Sequence, residues 1–213
     1  MNNGNGSFTA AAPGPINSDG GCSFGSAFED YDNDGDLDLF VANGFCNGLT
    51  VNFLYKNNGA GIFERDNSAL DSYITTCSYG AAWGDLNDDG FPDLVVANCK
   101  KTPTAPEPNH SVFMNKGNGN HWLKIRLVGT ASNRSAIGAR ILVKAVIDGQ
   151  PVTQVREITA QSGYCGQNSL TAHFGLGASV QADSVFVKWP SGQEQALGMT
   201  AAGQVITIVE KKP

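Results

Sequence analysis

The sequence predicts an all-β chain, two propeller-type blades followed by a small β-sandwich, on three grounds. An acidic nonapeptide occurs twice at an offset of 55 residues, D-Y-D-N-D-G-D-L-D at 30–38 and D-L-N-D-D-G-F-P-D at 85–93. Short apolar runs bounded by Gly, Asn and Asp flank each copy, as strands joined by tight turns do. Beyond residue 120, Lys and Arg alternate with Leu, Ile and Val at period two, the signature of strands with one wet face. No 3.6-residue apolar period appears, which argues against a helical solenoid.

The elements follow in order. N-N-G-N-G-S-F at 2–8 copies N-N-G-A-G-I-F at 57–63 and reads as the tail of a preceding repeat. The first blade spans about 9–63, with strands near 23–29, 37–43, 51–56 and 61–65. The acidic loop joins its first two strands as a hairpin, and Asn-Asn-Gly turns the third into the fourth. The second blade spans about 64–119. There C-S-Y-G-A-A-W-G-D (77–85) matches C-S-F-G-S-A-F-E-D (22–30), and D-L-V-V-A-N (93–98) matches D-L-F-V-A-N (38–43). About four antiparallel strands per repeat is the content of a propeller blade. The proline-rich 100–110 segment cannot enter a sheet interior and is expected to project as a loop and contact surface. From 121 to 213, alternating stretches at 121–128, 139–146, 152–159, 169–174, 183–189 and 203–210 supply the sandwich.

Composition bounds the function. The chain has 213 residues, 41% hydrophobic, with a net charge of −6. Residues 1–120 carry 15 acidic and 5 basic residues, whereas 121–213 carry 5 acidic and 9 basic. The acidic excess therefore sits largely in the two loops. That sign disfavours a nucleic-acid partner. No apolar run approaches the ~18–20 residues of a membrane span, so no membrane insertion is expected. The opening M-N-N-G-N-G-S-F has neither a basic nor an apolar region, so no secretory leader is expected within it.

Residues 1–120 resemble the FG-GAP/VCBS repeats, whose blades carry D-x-[DN]-x-D-G-x-x-D-L calcium loops after a G-x-A-[FW]-x-D strand. One departure is Glu29, where the second repeat has Gly84. The second half resembles the ASPIC/UnbV domain through N-H-W-L-K-I-R-L-V-G-T (120–130), S-N-R-S-A-I-G-A-R-I (132–141), S-G-Y-C-G-Q-N-S-L (162–170), H-F-G-L-G (173–177) and V-K-W-P-S-G (187–192). The resemblance implies extracellular calcium-binding matrix or adhesion proteins and no reaction.

Asp or Asn at loop positions 1, 3, 5 and 9, with Gly at 6, points hard oxygen ligands at one cation, which suits Ca²⁺ over Zn²⁺. Two calcium sites are expected. The first takes side chains of Asp30, Asp32, Asp34 and Asp38 with the carbonyl of Asp36. The second takes Asp85, Asn87, Asp89 and Asp93 with the carbonyl of Phe91. An EF-hand needs a bidentate acid at position 12, where this chain has Val41 and Val96. Metal-free Asx turns are the competing reading. Four or five carboxylates in nine residues nevertheless repel unless a cation sits among them. Calcium is expected to pin each hairpin turn.

Hairpin register sets residue 28 opposite 39 and 24 opposite 43. Continuing outward brings Cys22 near Cys46 and Cys77 near Cys99, so two intra-blade disulfides are expected, with Cys165 left over. Disulfides imply an oxidising compartment, and hence an extracellular or cell-surface location. No catalytic residue is expected. Cys165 and His173 could form a nucleophile pair, but no nucleophile elbow or glycine loop accompanies them, and His173 reads as structural. Arg134 and Arg140 could form an anion site, with surface salt bridging the blander alternative.

The function expected is an extracellular calcium-binding interaction module with a protein or glycan partner. Two alternatives stand beside it. In one, copies complete each other's partial propeller, since two blades cannot close. In the other, the chain acts on or binds carbohydrate with calcium, which for hydrolysis needs a paired-carboxylate cleft that the sequence does not supply.

Overall fold

The computed structural model describes residues 2–10, 13–44, 51–68, 70, 77–100, 104 and 109–212. Nearly all regular structure is β. The exception among the described residues is one four-residue helix, α1 (Pro15–Ser18).

The first acidic loop joins β1 (Ser23–Glu29) to β2 (Asp38–Asn43), and β3 (Phe53–Asn57) and β4 (Phe63–Arg65) complete an antiparallel sheet in the order β1-β2-β3-β4. Every residue of β2 is buried or half-buried, which explains its unbroken D-L-F-V-A-N run. Phe40 and Ala42 face the second repeat, while Leu39 packs with Phe53 and Tyr55 on the other side. The second sheet contains β5 (Ser78–Gly84), β6 (Asp93–Asn98) and β7 (Ser111–Phe113). It has three strands among the described residues. The turn motif at 115–119 is present, but the chain after it enters the next domain as β8 (His121–Val128) instead of adding a fourth strand. The two sheets share a core of Ala27, Phe40, Ala42 and Leu54 with Ala81, Trp83, Leu94 and Val96. Tyr31 stacks on Trp83, with ring centroids 6.3 Å apart.

The hairpin register starts as expected, with Phe28 opposite Leu39. It shifts by one residue between Ser23 and Gly25, so Ser23, not Phe24, faces Asn43. The second repeat shifts identically between Ser78 and Gly80. This bulge leaves one residue unpaired on the first strand and brings Cys77 beside Cys99. These two form a disulfide, with Cα atoms 5.1 Å apart. The Cys22–Cys46 pairing and most of the proline-rich 100–110 segment lie outside the described residues. Cys165 is an exposed free thiol.

The second half packs one sheet of β10 (Gln150–Glu157), β9 (Arg140–Ile147), β13 (Ser184–Lys188) and β14 (Glu194–Leu197), in that order, against a second. The second sheet runs β11 (Ala172–Gly177), β8, β16 (Gln204–Val209). A small ribbon pairs β12 (Gln181–Ala182) with β15 (Thr200–Ala201). Leu123, Ile125, Ile141, Val143, Phe174, Leu176, Val185 and Val187 fill the core. Strand β9 alternates inward Ile141, Val143, Ala145 and Ile147 with outward Arg140 and Lys144, as its period predicts. Two observed features go beyond the pattern. Strand β16 runs parallel to β8, and β14 is a strand the alternation did not reveal. Strand β11 begins at 172 instead of 169 and is buried on both faces.

The loop around residues 161–171 makes one of the contacts between the two halves. Asn168 accepts from Trp83 N and donates to the carbonyl of Phe28. A Cβ on Gly163 would lie 2.4 Å from Ser26 O, and one on Gly166 would lie 2.3 Å from Ala81 O. Ser26 and Ala81 are the same position in successive repeats. The loop thus lies against equivalent points of both blades, and only glycine allows that approach.

Candidate metal centre

The first loop folds around its own carboxylates. Buried Asp30 accepts from Asp34 N (3.1 Å) through Oδ1 and from Gly35 N (2.9 Å) through Oδ2. Buried Asp38 accepts from Tyr31 N (3.2 Å) and Asn57 N (2.8 Å), tying the loop's start to β3. Asp34 Oδ1 accepts from Asp36 N. These bonds orient the side chains, as the Asx-turn preference of Asp predicts. They also bring ligand oxygens of Asp30, Asp32 and Asp38 within 4.8 Å of one another.

Such a cluster is costly without a cation. Burial pushes the Asp30 carboxyl well above the usual range against the pull of Arg156, and neighbouring Asp34 and Asp32 push it further. Burial also lifts Asp38, to about 8, despite the Asn57 amide. Asp34 and Asp36 are raised by burial first and then by the charge of Asp32. Lys56 answers part of this charge by pairing with Asp32 and, at 3.3 Å, with Asp34. Asp32 Oδ1 is nevertheless buried with no hydrogen-bond donor. A buried carboxylate oxygen without a donor, among raised carboxyls, fits a hard cation taking oxygen ligands.

The second loop repeats the backbone pattern. Asp85 accepts from Asp89 N (3.1 Å) and Gly90 N (2.7 Å), and Asp93 accepts from Leu86 N (2.8 Å) and Asn115 N (2.7 Å). Phe91 N donates to Asp89 Oδ1. Its charge balance differs. Asn87 Nδ2 donates to Asp89 Oδ2 at 2.8 Å. Lys124 of β8, 6% exposed, places Nζ 2.6 Å from Asp85 Oδ2 and 3.3 Å from Asp88 Oδ1. Asn87 and Asp89 are exposed. Among the described residues, only the first loop gathers three acidic ligand oxygens this closely.

The loops meet each other and the sandwich. Position four of each loop has positive φ, Asn33 at 59° and Asp88 at 58°. Buried Asn33 donates to Gly90 O (3.1 Å) of the other loop, and its carbonyl accepts from Gly177 N (2.8 Å). With its amide nitrogen thus committed, Asn33 Oδ1 accepts from His173 Nε2 at 2.5 Å. That assigns the Nε2–H tautomer and leaves His173 Nδ1 as a buried acceptor without a donor. Burial first, then the charges of Arg156 and Lys124, lowers His173 to about 3, so it is neutral at pH 7. Gly175 N donates to Asp30 Oδ2 (3.1 Å). These contacts explain why β11 is buried on both faces: Phe174 and Leu176 enter the sandwich core, and His173 and Gly175 meet the loop.

Three of these residues escaped sequence reading. Lys124 sits in an ordinary alternating strand, Asn33 in a loop position without a ligand role, and Asn168 in a polar run. Only the offset pairing of distant segments gives them partners. Cys165 and His173 do not form a nucleophile pair, because the thiol is exposed while His173 is bound to Asn33. Arg140 pairs with Glu157 at 3.0 Å, the surface salt bridge anticipated as the blander alternative.

The chain matches the FG-GAP-like repeat over residues 1–41 and 30–96, and the domain described as ASPIC and UnbV over residues 129–213. It is similar to cartilage acidic protein 1 of Homo sapiens, 27% identical over 185 residues, covering 85% of this chain and 27% of that protein. The Mus musculus protein of that name is 28% identical over 168 residues, covering 77% and 25%. The Xenopus tropicalis protein is 30% identical over 169 residues, also covering 77% and 25%. The chain spans about a quarter of the length of these curated relatives.

Proposed function

We propose that this chain, which carries FG-GAP-like repeats and an ASPIC and UnbV domain and is homologous to cartilage acidic protein 1, is an extracellular calcium-binding interaction module without catalytic activity. Calcium acts structurally. The observation that carries this reading is the first loop, where Asp32 Oδ1 stands buried without a donor beside Asp30 and Asp38.

Asp30, Asp32, Asp34 and Asp38, with the carbonyl of Asp36, would hold the first ion. Asp85, Asn87, Asp89 and Asp93, with the carbonyl of Phe91, would hold the second. A bound divalent cation supplies positive charge that lets these carboxylates stay ionised while buried. The chain's own groups do the rest. Amides of Asp34, Gly35, Tyr31 and Asn57 fix Asp30 and Asp38, and Asn33 and Asp30 carry the loop's shape to His173, Gly175 and Gly177. Stiffening the first loop therefore stiffens the seat of the sandwich. The two blades (1–120) and the sandwich (121–213) act as one body that presents its outer surfaces to a partner.

Titration calorimetry of the chelator-treated chain tests this reading. Saturable calcium binding with a raised melting temperature supports it. No heat, with an unchanged melting temperature in calcium, overturns it.

A further inference from the structure

The chain has five arginines, and the described contacts divide them sharply. Arg65 pairs with Asp19 and Arg140 with Glu157, and Arg156 bonds to Gln154 and Val155 O. Arg126 and Arg134 have no carboxylate or hydrogen-bond partner for their guanidinium groups among the described residues, and both are exposed. They come from separate elements, β8 and the loop after it, yet they line the same cavity of about 450 Å³. Its wall carries the hydroxyls of Ser135, Ser169 and Thr171, and Leu170, 38% exposed, offers an apolar patch.

The backbone behind the cavity is fixed in advance. Glu210, 2% exposed, accepts from the amides of Thr130, Ala131 and Ser132 at 2.7–2.8 Å and from the hydroxyls of Ser132 and Ser191. Gly129 N donates to Arg134 O (3.1 Å) and Ala136 N to Asn133 O (2.8 Å). Arg134 and Ser135 thus project from a loop clamped on both sides. A second cavity, about 220 Å³, adjoins through Arg126, Ser169 and Thr171; its wall adds Lys124 and His173 but also the carboxylates of Glu29, Asp85 and Asp88, so the acidic ligand is placed in the larger cavity alone.

From this arrangement we propose that the cleft between Arg126 and Arg134 binds an acidic saccharide through its carboxylate or sulfate groups. Two unpaired guanidinium forks match planar or tetrahedral oxyanions. Three hydroxyls that donate and accept match the hydroxyls of a sugar, and Leu170 matches a ring's C–H face. The inference deepens the reading of the chain as an interaction module by naming the partner's chemistry. It does not use the calcium loops, which contribute nothing to the wall of the larger cavity; Asp85 and Asp88 of the second loop line only the smaller one.

Interferometry on the full chain tests it with four immobilised polymers: polygalacturonate for carboxylate, dextran sulfate for sulfate ester, plain dextran, and polyglutamate. Each is measured in calcium and in EGTA, at two salt concentrations, with melting curves confirming the fold in both buffers. The expected result is salt-sensitive binding to polygalacturonate, dextran sulfate or both, and none to dextran. Arg126→Gln and Arg134→Gln should each weaken binding by about tenfold or more. Arg126→Lys with Arg134→Lys should lose much of it despite keeping the charge. Lys144→Gln with Lys188→Gln, which removes two charges elsewhere where each arginine variant removes one, should leave it unchanged.

Binding to neither acidic polysaccharide overturns the proposal. So does equal weakening by the lysine pair, which marks diffuse charge attraction, or equal binding of polyglutamate, which marks an acidic peptide site. Binding that persists in EGTA while calcium fails to raise the melting temperature would overturn the calcium reading and leave this one standing.

Discussion

Replacing Lys124 with Met tests whether the second half of the molecule supplies a tethered cation to the second loop. Lys124 and Asp85 side chains are 7% and 5% exposed, with Nζ and Oδ2 2.6 Å apart. Removing one partner of a buried ion pair costs about 3–5 kcal/mol, because the other charge is left uncompensated. The Asp88 arm adds little, since that carboxylate is 90% exposed. At about 2–4 °C per kcal/mol for a chain of this size, 3 kcal/mol lowers the melting temperature by about 6–12 °C in EGTA. Calcium bound as proposed would replace the lost charge beside Asp85. An ion at 100 times its Kd returns about 2.7 kcal/mol, so the variant should gain more from calcium than the parent does. Paired melting curves in EGTA and millimolar calcium read both quantities, with Asp88→Asn as the control expected to shift little. A loss of equal size in both buffers would refute charge replacement. No loss in EGTA would refute the buried pair itself.

Four further outcomes follow from the same geometry. Asp32→Ala removes a like charge and the donorless oxygen, so the metal-free chain should melt no lower than the parent while the first loop's calcium response disappears in calorimetry. In the metal-free chain Asp38 is raised to about 8; its contribution is full below the unfolded value of about 4 and is lost as pH rises through about 8. Melting temperature in EGTA should therefore fall across that window while calcium affinity rises, each measurable by a pH series. Burial raises the Glu210 carboxyl, but the Ser191, Ser132 and Thr130 donors outweigh it and hold it at about 2. Its stabilisation is complete above about 4.5 and lost as pH falls through about 2, and Glu210→Gln should flatten the acid limb of the melting profile. Replacing Cys77 and Cys99 with Ala should cost about 2–4 kcal/mol in chemical denaturation, given their separation of 22 residues.

Much of the fold was legible because its signals are local. The hairpin around 30–38 needs only Asx turns and flanking apolar strands, and both are written within twenty residues. The strands of the first blade fell within two residues of their expected ends for the same reason. Strand β14 and the parallel pairing of β16 with β8 were not legible: E-Q-A-L is short and weakly apolar, and strand direction depends on distant partners. The bulges at Phe24 and Tyr79 left no trace in the alternation, yet the second is what aligns Cys77 with Cys99.

The sequence by itself determined the two acidic loops, their 55-residue spacing and the β class, because residue type and short-range spacing suffice for turns and strands. Only the tertiary structure decided that the loops are unequal. The first is sealed against β11 by Asn33 and Gly175, and the second is met by a lysine from 39 residues away. The tertiary structure alone also brought Arg126 and Arg134 to one cleft. Burial and charge compensation depend on what folds against a loop, and no local pattern carries that information.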